Sequence, residues 1–106
     1  MSQKPETRFL QNRVKPDLKK LPHTWFFKTQ EVSVRGIPDI IACVRGVFVA
    51  LELKKSSKDT LDPLQKHILA LIKKARGHSY EVNPDNWPEV YKALQHLAKG
   101  EKKWLV

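Results

Sequence analysis

The chain has 106 residues, enough for one domain with a modest core, and a hydrophobic fraction of 41% that excludes wholesale disorder. Lys and Arg number 20 against 11 Asp and Glu, and the net charge of +9 points to a polyanionic partner. Nucleic acid comes first and an anionic membrane second, since solubility alone rarely calls for more than about eight net charges.

The N-terminal MSQKPETRF carries no apolar run of the secretory kind, and no stretch is long and apolar enough to span a bilayer, so a cytoplasmic protein is expected (host cytoplasm if phage-encoded). Ser2 to Val14 has helical spacing, with Pro5 in the first turn and Phe9, Leu10 and Val14 on one side. Pro16 is expected to interrupt it, and Asp17 to Leu21 to form a further turn. His23 to Val32, HTWFFKTQEV, reads as a strand, with Trp25, Phe26 and Phe27 assigned to the core rather than to a base-stacking platform. Two more strands follow, Pro38–Val44 and Val47–Lys54, joined by Arg45 and Gly46. The lone Cys43 among them excludes an intrachain disulfide and is expected to be a small buried hydrophobe.

Ser56–Thr60 is a polar loop. Asp62 as N-cap and Pro63 at the first helical position start a helix with Leu64, Ile68, Leu71, Ile72 and Ala75 along its apolar side. Lys73, Lys74 and Arg76 suit its last turn, and Gly77 its C′ position. A short strand over Ser79–Val82 ends at Asn83-Pro84. Trp87–Lys99 is the last helix, with Val90, Tyr91, Leu94, Leu97 and Ala98 inward, and residues 100–106 are a tail. The predicted order is α-β-β-β-α-β-α, an α/β domain with a mixed sheet between helices.

The hairpin carries charges that an apolar strand pair does not need. With Arg45 and Gly46 as a two-residue turn, Asp39 faces Glu52, and Lys54 shares their side of the sheet. A three-residue loop would move Glu52 and Lys54 to the other side. Like charges directly opposed in a sheet repel. Two arrangements relieve this pair: a salt bridge from Lys54, or a divalent cation between Asp39 and Glu52 with Lys54 stabilising developing charge. Oxygen donors of this kind suit Mg²⁺ or Mn²⁺.

Pro38-Asp39 followed by Glu52-Leu53-Lys54 resembles the signature of the PD-(D/E)XK nucleases. Gly36-Ile-Pro-Asp39, the apolar hairpin, and Pro63-Leu-Gln65 opening a helix are similar to the VRR-NUC branch of that superfamily, over roughly residues 6 to 82. The resemblance implies a single restriction-endonuclease-like domain over residues 1–106, hydrolysing DNA phosphodiesters with Mg²⁺ or Mn²⁺. It implies Asp39, Glu52 and the backbone carbonyl of Leu53 as metal ligands and Lys54 as the catalytic lysine. Gln65 corresponds to a glutamine close to the active site, although D-x-x-Q from Asp62 is also a capping box. Glu6 corresponds to a glutamate from the first helix, although an acidic residue also suits a first turn on its own account. Small relatives act on branched DNA such as Holliday junctions, and symmetric cutting implies a homodimer.

Arg35, Lys55 and Lys58 around the signature, and Lys15, Lys19, Lys20 and Lys28 before it, are the expected phosphate contacts. His23, His67, His78 and His96 lack metal-site spacing. The alternatives are a nucleic-acid-binding module that keeps the fold without catalysis, and a basic membrane-surface protein. The second is disfavoured because no strongly amphipathic basic helix is present.

Overall fold

A computed structural model describes residues 5–29 and 35–100, with side chains from residue 7 onward. The backbone of Glu6 lies in the first helix, but its side chain lies outside the described residues, as do residues 2–4, 30–32 and 101–106 of the predicted elements.

Helix α1 (Pro5–Phe9) runs through a π turn (Leu10–Val14) into helix α2 (Lys15–Lys20). The predicted break at Pro16 does not occur. The Lys15 N–H reaches back five residues to the Leu10 carbonyl, and Pro16, which has no N–H to give, falls in the first turn of α2. The wider turn absorbs the proline ring, so one helical run continues and buries Phe9, Leu10, Val14 and Leu18.

Strands β1 (Thr24–Lys28), β2 (Ile40–Val44) and β3 (Val47–Leu53) form an antiparallel meander. Helix α3 (Pro63–Lys74) then crosses over to β4 (His78–Val82), which pairs parallel with β3. Helix α4 (Trp87–Ala98) is the last described element, and the sheet order is β1-β2-β3-β4. The domain is therefore α/β, with a four-stranded mixed sheet and helices on its faces.

The two-residue turn is present. Arg45 and Gly46 both have positive φ, 48° and 86°, as a type I′ turn requires. Ile41 pairs with Ala50 and Cys43 with Phe48, which is the predicted register. One side of the hairpin (Ile40, Ala42, Val44, Val49, Leu51, Leu53) is buried beneath α1, α2 and α4. The other side receives α3, which lies over β3 and β4.

Trp87 ties the first of these layers together. It is 1% exposed, its indole N–H donates to Asp17 Oδ2 at 2.7 Å, and Phe9 meets it edge-on at 6.3 Å between ring centroids. Tyr91 packs at 5.7 Å from Trp87, and burial followed by the negative charge of Asp17 raises its pKa above 10. Burial alone raises that of Tyr80 on β4. Both hydroxyls therefore stay neutral in the fold at a pH where the unfolded chain has begun to ionise. Their contribution to stability is present below pH 10 and is lost as pH rises through the folded values. Urea unfolding followed from pH 9 upward is expected to show falling stability, with a shallower fall in Tyr80→Phe.

Three packing expectations are corrected. Trp25 and Phe27 are not core residues, at 61% and 46% exposed, and only Phe26 of the aromatic run packs on the core. Cys43 is exposed rather than buried. On α3 only Leu69 is buried, while Leu64, Leu71 and Ala75 are exposed. These corrections share a cause: α3 covers β3 and β4 and leaves the same face of β1 and β2 open. At the end of α3, Arg76 rather than Gly77 takes the left-handed C′ position, with φ 75°. The Arg76 N–H bonds Lys73 O and the Gly77 N–H bonds Ile72 O, a Schellman closure. Gly77 serves a steric need instead, because a Cβ there would lie 2.9 Å from Ile72 Cγ2. No described helix is long and apolar enough to cross a membrane.

Candidate active site

Asp39 precedes β2 and is fixed at backbone and side chain. Its carbonyl accepts from the Thr29 N–H at 2.8 Å and from the Thr29 hydroxyl at 3.2 Å. Its Oδ2 accepts from the Leu53 N–H at 2.8 Å. Oδ1 takes no hydrogen bond among the described residues. The register sets Asp39 one pair beyond Ile40–Leu51, opposite Glu52, so the carboxylate leans across the strand gap onto β3. Just upstream, Gly36 has φ 82°, and a Cβ there would meet Leu64 Cγ at 2.7 Å. Only glycine passes this point, which fixes the approach of the chain to Asp39.

Glu52 and Lys54 lie at the end of β3 and just beyond it, on the α3 side, 4% and 8% exposed. Lys54 is pinned by its N–H to Val82 O at 2.7 Å. A carboxylate and an ammonium in the interior are expensive unless they are held by polar partners. Gln65, in the first turn of α3, holds both. Its Nε2 donates to Glu52 Oε2 at 3.0 Å, and its Oε1 accepts from Lys54 Nζ at 3.2 Å.

The orientation of the Gln65 amide is set by its own helix. Oε1 also accepts from the Asp62 N–H at 3.2 Å, while Asp62 Oδ1 accepts from the Gln65 N–H at 2.9 Å. A backbone N–H can only donate, so the oxygen must face Asp62 and the NH₂ must face Glu52. The predicted capping box is thus present, and the same side chain reaches the signature residues. Capping and site contact coexist in Gln65.

Of the two arrangements open to the charges, no Lys54 brace is found among the described residues. Among the described residues Lys54 pairs with neither carboxylate, and its recorded partner is the Gln65 oxygen. The register places the two carboxylates together at the end of the sheet, and Asp39 Oδ1 takes no hydrogen bond among the described residues. Such a set fits Mg²⁺ or Mn²⁺, which keep several waters and take one or two carboxylates. No third His, Cys, Asp or Glu joins them among the described residues, and the Glu6 carboxylate lies outside these.

Arg35, Lys55 and Lys58 are exposed; Lys55 follows directly on Lys54, and Lys58 lies in the loop after it. Lys15, Lys19 and Lys20 sit on α2, in the layer on the far side of the sheet from α3, and so do not share the face of the carboxylates. Thr29 and Asp62 are positioning residues that sequence reasoning did not assign to the site. The signal for Asp62 was its capping box, whereas that for Thr29 exists only once β1 is paired with β2. No family model, curated protein or solved structure matches the chain.

Proposed function

We propose that the chain is a metal-dependent endonuclease of the VRR-NUC kind within the PD-(D/E)XK nucleases, cutting branched DNA such as a Holliday junction. The reading rests on one observation: Asp39, Glu52 and Lys54 converge on one side of the sheet, held by Leu53, Val82 and Gln65. Asp39 and Glu52, with the Leu53 carbonyl, would hold Mg²⁺ or Mn²⁺. When bound, the ion lowers the pKa of its water and neutralises charge on a phosphate. Lys54 offers an ammonium to the charge that develops on the phosphate oxygens, and Gln65 orients it. Arg35, Lys55 and Lys58 contact phosphates without reading sequence. Symmetric cutting of a junction calls for a homodimer.

The test is cleavage of a four-way junction, a flap and a linear duplex, with Mg²⁺ and with EDTA. Metal-dependent cleavage of the branched substrates is expected, with Lys54→Ala slower by about 10²–10³-fold. Binding of DNA with no metal-dependent cleavage of any substrate would instead identify a non-catalytic module.

A further inference from the structure

The aromatic run of β1 has no role in the core, and the site described above does not use it. Trp25 and Phe27 stand on the open face of the sheet, 61% and 46% exposed, with ring centroids 5.4 Å apart and planes tilted by 41°. Opposite them on β2 lie Cys43 and Ile41, so this face of the two strands carries no charge. The nearest exposed cations border it from the other side of the sheet: Lys28 follows Phe27 and alternates to the side of Ile40, and the Arg45 side chain lies beside Gly100 at the end of α4. The next residue on the same face beyond Ile41 is Asp39, just before β2. Phe27 is the diagonal neighbour of Asp39 across the strand pair, a separation of roughly 7–8 Å. That is about two stacked nucleotides at 3.4 Å each.

We infer that Trp25 and Phe27 form a stacking platform for unpaired nucleobases, lying beside the catalytic carboxylates and continuous with them. This takes the nuclease reading for the position of the cut. The chemistry is the general one for single strands: aromatic faces stack any base, and flanking cations follow the backbone. Charge favours this occupant over a second copy of the chain. Two chains of net charge +9 repel each other, whereas a nucleic acid strand neutralises that charge. The platform also supplies a means of choosing substrates. A duplex hides its base faces, while a flap, a gap or the splayed centre of a junction presents them next to the scissile phosphate.

The experiment uses the full chain in EDTA, so that nothing is cut, and measures anisotropy of a labelled oligothymidylate and of a blunt duplex. Trp25→Ala and Phe27→Ala are each expected to weaken the single strand about tenfold and to leave the duplex within about twofold. Trp25→Phe, which keeps an aromatic face, is expected to retain most of the affinity, a rescue that no loss of structure would give. Alanine variants that bind both ligands as the wild type does would overturn the inference. So would variants that lose self-association while their single-strand affinity is unchanged, which would make the face an interface between copies. A chain that binds single strands through Trp25 yet cuts nothing with Mg²⁺ removes the nuclease reading and leaves the platform standing. Cleavage with unaltered stacking does the reverse.

Discussion

Glu52→Gln is expected to lower metal-dependent cleavage by about 10³-fold without lowering the unfolding temperature. The substitution keeps shape and volume at a position 4% exposed, and the new amide oxygen can still accept from Gln65 Nε2. What it removes is the negative charge. A metal ion contributes several kcal/mol to a phosphoryl transition state, and about 4 kcal/mol corresponds to that loss of rate. Asp39→Asn is the companion variant, since its oxygen can keep the bond from the Leu53 N–H at 2.8 Å. Junction cleavage with Mg²⁺, measured beside thermal melts, separates charge from fold. A Glu52→Gln protein that cuts at the wild-type rate would leave the carboxylate pair without a catalytic role.

The largest expected effect on stability lies on the opposite face, at Trp87. Trp87→Ala removes a side chain 1% exposed, leaves a cavity between α1, α2 and α4, and strands Asp17 without its indole partner. Truncation of a buried aromatic costs about 3–5 kcal/mol. A domain of this size has about 5–15 kcal/mol in all, so the variant is expected to be largely or partly unfolded at 37 °C. Trp87→Phe keeps most of the packing and loses the hydrogen bond, at about 1–3 kcal/mol. Urea unfolding read by circular dichroism gives both values. Equal midpoints for the alanine and phenylalanine variants would show that the hydrogen bond, rather than the volume, carries the effect.

The parts of the fold that were legible in the sequence are those set by neighbours in the chain. Asp62, Pro63 and Gln65 specified their helix start locally, and that start carried Gln65 to the site. Arg45-Gly46 lacks the Asn-Gly signature and the strands beside it are apolar on both faces, so the sequence left the loop length open, and the positive φ of both turn residues decides it. What was not legible depended on where separate elements come to rest. TWFFK is apolar on both sides, so nothing within it tells which side a helix will cover. Cys43 and Leu71 were misplaced for the same reason. Pro16 misled in another way, since the usual helix-breaking rule assumes α spacing and the π turn before it does not keep that spacing. The Thr29 contacts that fix Asp39 span ten residues and arise only from strand pairing.

The two halves of the candidate site are anchored to very different depths. Asp39, Glu52 and Lys54 belong to the interior strands, with β3 paired on both edges, and those amides can exchange with solvent only when much of the domain opens. Gln65 belongs to α3, which buries only Leu69 of its own side chains and so has far less holding it down. Lifting of that helix, a local opening well short of unfolding, would release the amide from both partners while the carboxylates kept their places. The order of Lys54 is then a property of a shallowly buried helix, and a ligand that presses α3 onto the sheet would sharpen the candidate site as it binds.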